Sequence, residues 1–168
     1  MKFLIVVDMQ NDFISGALGS KEAEAILARV VGLVQGFDGE IIFTRDTHGE
    51  DYMHTQEGQR LPVPHCIRGT DGWQIASALA PYAHKVVDKP TFGSTDLPAL
   101  LEGYGEPVDE ITLCGLCTDI CVISNAMLLK AAFPEARIAV EAAACAGVTP
   151  ESHEIALAAM RAVQIDIL

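Results

Sequence analysis

Phe3-Leu4-Ile5-Val6-Val7-Asp8 is a continuous apolar run, rich in branched side chains, that ends abruptly on a carboxylate. A strand with one wet face alternates apolar and polar residues. A run that is apolar at every position instead belongs to a strand covered by helices on both faces, the environment of a parallel sheet. Less regular versions of the same pattern return at residues 40–44, 85–87, 110–114, 138–140 and 163–168. Between them, Ile26, Leu27, Val30, Val31 and Val34 recur at helical spacing behind the start signal Gly19-Ser20. Residues 151–162 predict a second helix, opened by Thr149-Pro150 with proline in the first turn. Thr118-Asp119 predicts the cap of a third, running to about Phe133, where Pro134 stops it. Strands alternating with helices imply parallel strands joined by right-handed crossovers. The expected fold is a three-layer α/β/α sandwich around a mostly parallel sheet of about six strands. No repeat, low-complexity tract or linker interrupts the pattern, so residues 1–168 read as a single domain.

Composition narrows the function classes. A chain of 168 residues that is half hydrophobic can bury a substantial core. Twenty-three acidic against eleven basic side chains give a net charge of −12, which repels phosphate backbones and anionic lipid surfaces and argues against nucleic acid or membrane partners. The apolar runs at residues 3–7 and 122–127 are far too short to span a bilayer, and no basic segment followed by a long apolar stretch and a cleavage site opens the chain, so a cytoplasmic protein is expected. Five cysteines is an odd number, and three crowd into eight residues, which fits reduced thiols better than disulfides.

Ligands of open parallel sheets bind beyond the carboxyl ends of the strands, so the polar residues at those ends carry the functional information. Asp8 follows the first strand, Asp46 and His48 the second, Asp88-Lys89 the third, and Cys114-Gly115-Leu116-Cys117-Thr118-Asp119-Ile120-Cys121 the fourth. A thiol in the first turn of a helix feels unpaired N–H groups and the positive helix end, which favour thiolate, and the same N–H groups can hold an oxyanion. Two plainer readings stand beside this one. The cysteines can be buried small hydrophobes, as Cys114 is expected to be, or Cys114 and Cys117 can form a C-x-x-C metal or redox pair. Lys89 can be a solvated strand end, or a cation set between Asp8 and a thiolate. Residues 46–70 are poorly periodic and hold three of the five histidines; a loop of that length inside a compact domain is usually functional.

Three segments in order, Val7-Asp8-Met9-Gln10-Asn11-Asp12-Phe13, Lys89-Pro90-Thr91-Phe92 and Gly115-Leu116-Cys117-Thr118-Asp119-Ile120-Cys121-Val122, resemble the signatures of isochorismatase-like cysteine hydrolases. The resemblance extends to Ala146-Gly147-Val148-Thr149-Pro150-Glu151-Ser152-His153. It implies Cys121 as nucleophile, Asp8 as general base and acid, and Lys89 as the cation beside them. The peptide between Leu116 and Cys117 corresponds to the family's cis peptide at the oxyanion site. A small amide substrate, no organic cofactor and a homo-oligomeric assembly are further implications.

Within the family, Arg45-Asp46-Thr47-His48 and Pro64-His65-Cys66-Ile67-Arg68-Gly69-Thr70 resemble the metal segment of nicotinamidases. Asp46, His48 and His65 would hold a divalent ion, zinc, iron or manganese, with Glu57 or His54 as the fourth ligand and Glu57 favoured. Two departures stand out. Leu61-Pro62-Val63-Pro64 occupies the place where relatives carry a tryptophan against the pyridine ring, leaving Phe13, Phe92 or Trp73 to replace that wall, with Trp73 better suited to packing. Glu141-Ala142-Ala143-Ala144 has alanine where relatives carry an aspartate. Hydrolysis of nicotinamide is the leading reaction implied. Hydrolysis of another amide, carbamoyl or ureide compound, or a non-catalytic binding role, are the alternatives.

Overall fold

A computed structural model describes residues 1–168. Six strands form one sheet: β1 (Lys2–Val7), β2 (Glu40–Asp46), β3 (Val86–Lys89), β4 (Glu110–Leu116), β5 (Arg137–Ala146) and β6 (Asp166–Ile167). Their order is β3-β2-β1-β4-β5-β6, and every pairing is parallel. The helices are α1 (Asn11–Ile14), α2 (Lys21–Gly36), α3 (Gln56–Arg60), α4 (Asp96–Glu102), α5 (Ile123–Ala132) and α6 (Pro150–Ala162). Connections leave β1 and β4 in opposite directions along the sheet, so right-handed crossovers place α2 on one face and α4, α5 and α6 on the other. All five residues from Phe3 to Val7 are fully buried, as a strand sandwiched between two helical layers requires.

Local chemistry explains the boundaries. The Ser20 side chain accepts the Ala23 N–H at 3.0 Å and starts α2, while Thr149 and Ser152 form a reciprocal capping box around Pro150 at the start of α6. Gly115 is required where β1 and β4 close on each other: its φ is +113°, and a Cβ there would sit 2.1 Å from the Val7 carbonyl oxygen.

Three sequence expectations need correction. Lys89 is the last residue of β3 rather than the residue after it. β5 runs ten residues, because the Ala-rich stretch after Val140, a poor strand former by composition, continues in the sheet across an irregularity opposite Leu113 and Gly115. The segment after Cys117 begins as a π-helical turn, Thr118–Val122, before α5, and neither Thr118 nor Asp119 caps it. No helix is long and apolar enough to cross a membrane.

Candidate active site

The strand order reverses between β1 and β4, and the crevice at their carboxyl ends is where such sheets place ligands. The chain leaves β1 through Asp8 in a left-handed conformation, φ 47°, one that aspartate tolerates better than most side chains. Asp8 is fully buried. Its Oδ1 accepts the Thr44 hydroxyl at 2.6 Å from the end of β2. Its Oδ2 lies 2.6 Å from Lys89 Nζ as an ion pair but accepts no aligned hydrogen bond, leaving that oxygen able to take a proton. Lys89, 1% exposed at the end of β3, is the hub. Its ammonium donates to the Thr91 carbonyl at 3.1 Å, and lies 3.4 Å from Asp46 Oδ1 and 3.5 Å from Cys121 Sγ. Asp8, Lys89 and Cys121 are thus in mutual reach.

Electrostatics assign protons to these groups. Burial tends to neutralise Lys89, but Asp8, Cys121 and Asp46 outweigh it and hold its pKa above the ordinary lysine value, so it stays cationic. Burial pushes Asp8 up, with Asp46 adding to the effect and Lys89 opposing it. The Cys121 thiol is pushed well above its ordinary value, first by burial and then by the Asp8 carboxylate, against the pull of Lys89. The helix start that favours a thiolate is thus opposed here by burial of the turn and by the Asp8 carboxylate, with Lys89 on the side of the charged form.

The Leu116–Cys117 peptide is cis, and the Cys117 N–H donates to no acceptor within the chain. Both residues line a cavity of about 500 Å³ that also reaches Cys121, the arrangement an oxyanion donor needs. Cys114 is fully buried, and burial raises its thiol well above the usual range, so the C-x-x-C reading has no accessible ligand pair. Phe13 and Phe92 line the same cavity, joined by Leu61 where an aromatic wall was expected. Trp73 is elsewhere, packed under the Arg45 guanidinium at 3.4 Å with its indole N–H on the Thr47 hydroxyl at 2.8 Å.

Asp46, His48, Glu57 and His65 present ligand atoms that all lie within 4.8 Å of one another. His48 Nε2 is 2.9 Å from Asp46 Oδ2, and His65 Nε2 is 3.6 Å from the same oxygen and 3.8 Å from Glu57 Oε1. The other nitrogen of His65 contacts the Val63 carbonyl at 2.8 Å, the outer hydrogen bond typical of metal-binding imidazoles. Burial, reinforced by Asp46, raises the Glu57 carboxyl against the pull of His48. Two crowded carboxylates and two inward imidazoles fit a divalent cation, which would relieve that repulsion. His54, itself exposed, ends a 3-10 turn and lies outside the group; the Thr55 cap of α3 directs Glu57 there instead.

Two buried polar residues escape sequence reasoning. Gln10 donates to the Asp46 carbonyl and accepts its N–H, each at 2.8 Å, fixing the backbone of Asp46. Asn125 donates to the Cys121 carbonyl at 2.8 Å and accepts the Ser94 N–H at 2.9 Å. An amide one helical turn beyond Cys121 on an otherwise buried face was the available signal for the second; Gln10 had none apart from its place after β1.

A family profile described as isochorismatase domain matches residues 2–168. A nicotinamidase of Saccharomyces cerevisiae is 30% identical over 76% of this chain and 80% of its own. The crystal structure of a nicotinamidase/pyrazinamidase from Bacillus subtilis superposes with a TM-score of 0.87 at 29% identity, covering 99% of this chain and 98% of that one. A pyrazinamidase of Pyrococcus horikoshii in complex with zinc gives 0.85 at 29% identity, with the same coverage.

Proposed function

The chain belongs to the isochorismatase family, and from that premise we propose that it is a cysteine-dependent amide hydrolase that converts nicotinamide to nicotinate and ammonia. The observation that carries the reading is the contact of one buried ammonium with Asp8 Oδ2 at 2.6 Å and Cys121 Sγ at 3.5 Å, beside a cavity that also reaches a four-ligand cluster. Asp46, His48, Glu57 and His65 would hold a divalent cation, zinc, iron or manganese, which when bound supplies a Lewis-acid seat for the pyridine nitrogen.

The protein's own groups supply the remaining chemistry. The amide carbon sits roughly 3–3.5 Å from Cys121 Sγ, the near-attack separation. Asp8 Oδ2 takes the thiol proton as sulfur bonds to the carbonyl carbon, and Lys89 offsets the charge passing between sulfur and carboxylate. The carbonyl electron pair moves onto oxygen, where the Cys117 N–H receives it. As the C–N bond breaks, Asp8 returns its proton to nitrogen and ammonia leaves. Water, deprotonated by Asp8, then cleaves the thioester to the carboxylic acid and restores the thiol.

Ammonia release from nicotinamide by the purified protein, alongside Cys121→Ala, tests the reading. Turnover in the wild type and none in the folded variant is expected; activity within tenfold in the variant would refute the nucleophile. Leu61 in the cavity wall favours a second reading, in which another small amide is the better substrate. A panel of amides, ranked by kcat/KM, separates the two.

A further inference from the structure

One partly buried hydrogen bond reaches the turn that carries Cys121 from a distant element and has no part in the chemistry above. Thr118, the first residue of that π-helical turn, is fully buried, and its hydroxyl lies 2.7 Å from Nδ1 of His153 in α6. His153 is that hydroxyl's only hydrogen-bond partner. The neighbouring Asp119 accepts the Val148 N–H at 3.1 Å through Oδ1, a second tie between the same two segments. Gly147 brings the segments together: a Cβ there would stand 2.8 Å from the His153 nitrogen, so the chain leaving β5 is pressed against the start of α6. The capping box of Thr149 and Ser152 fixes the first turn of that helix. Thr118 is thus tied to the first turns of α6, and Asp119 to the short connection that leads into that helix.

Thr118 directly follows Cys117, whose N–H is uncommitted, and precedes Cys121 by three residues. A rotation at Thr118 moves the candidate oxyanion donor and the sulfur together. We propose that His153 is a positioning residue for the reaction: through its Nδ1 contact with the buried Thr118 hydroxyl it holds the turn so that the Cys117 N–H faces the developing oxyanion. The inference rests on the nucleophile role of Cys121. It assigns His153 no contact with substrate and no proton transfer.

The test uses Thr118→Val, which keeps shape and removes the hydroxyl, His153→Ala, which removes the ring, and His153→Asn, whose amide reaches the place of Nδ1. Each is assayed on the amide the wild type hydrolyses best. A misplaced catalytic group or lost oxyanion donor costs on the order of 100-fold, so T118V and H153A should lose roughly 10- to 100-fold in kcat with KM nearly unchanged, and H153N should recover most of it. The second readout is an aldehyde analogue of the substrate. Cys121 sulfur adds to its carbonyl carbon, and the oxygen gains the electron pair and the thiol proton, giving a thiohemiacetal that needs the same donors. Its inhibition constant should rise in parallel with the loss in kcat/KM, while melting temperatures of the H153 variants stay near wild type.

If T118V fails to fold, the H153A and H153N pair decides the matter, because His153 is only half-buried. Folded H153A with wild-type kcat and aldehyde affinity would overturn the inference, and so would H153N being as impaired as H153A. Cys121→Ala distinguishes the two failures. Turnover surviving in C121A sinks the nucleophile assignment and this inference with it; loss there, with H153A intact, sinks this inference alone.

Discussion

Replacing Lys89 with methionine removes the one cation that faces two buried carboxylates. The ammonium lies 2.6 Å from Asp8 Oδ2 and 3.4 Å from Asp46 Oδ1, and it is 1% exposed, so water does not substitute for it. At an effective dielectric near 20 each contact represents about 5–6 kcal/mol of gross attraction. The desolvation of the ammonium, which the variant no longer incurs, offsets much of that. Breaking a buried pair by removing one partner costs about 3–5 kcal/mol net. In a chain of 168 residues each kcal/mol moves the melting temperature by about 2–4 °C, so K89M should melt roughly 6–20 °C below wild type. The pH dependence has a defined sign. Burial already raises the Asp8 carboxyl above its ordinary value, and loss of Lys89 raises it further. A group whose pKa is raised on folding favours the folded state below its unfolded value, about 4, and loses that advantage as pH climbs through the folded value. The difference in melting temperature should therefore widen between pH 5 and pH 8. Scanning calorimetry of both proteins across that range is the assay. A difference below about 2 °C at pH 8, or one that narrows with rising pH, would refute the claim that Lys89 neutralises Asp8.

Three further outcomes follow from the site. Asp8→Asn should abolish amide turnover yet speed alkylation of Cys121 by iodoacetamide at neutral pH, since the carboxylate raises the thiol and Lys89 remains to lower it; slower alkylation would contradict that balance. Asp46→Ala should leave the purified protein with substoichiometric divalent metal by plasma emission and raise KM for nicotinamide, and unchanged metal content would count against the four-ligand cluster. Leu61→Trp restores an aromatic wall to the cavity; stacking worth about 0.5–1.5 kcal/mol should lower KM for nicotinamide about 2- to 10-fold, and an increase would mean Leu61 does not face the ring.

The strands at the centre were legible because burial on both faces leaves a plain mark, an unbroken apolar run such as Phe3 to Val7. Where the run is alanine, as beyond Val140 in β5, hydrophobicity marks neither end, and the sheet extends six residues past the expected limit. α4 is short and contains Pro98, so its period is too brief to stand out. At the site, strand-end position gathered Asp8, Lys89 and Cys121 among several ionisable groups at one edge, and the family resemblance singled those three out from neighbours such as Asp88, Cys114 and Cys117. The sequence favoured Glu57 over His54 without a physical reason, since the choice depends on the direction in which a five-residue helix projects its first turn. Thr118 and Asp119 misled for a related reason. Their composition is that of a cap, but a tertiary partner, His153 or the Val148 N–H, takes each side chain instead.

Asp46 gives one carboxylate oxygen to Lys89 and directs the other at His48 and His65. A single side chain thereby serves two half-sites, and neither has an independent charge state. If the cluster holds an ion as proposed, exchanging its residues to favour a different one would also retune the lysine and, through it, the sulfur, so a redesign of ion preference has to treat acid–base strength and ion affinity as one variable.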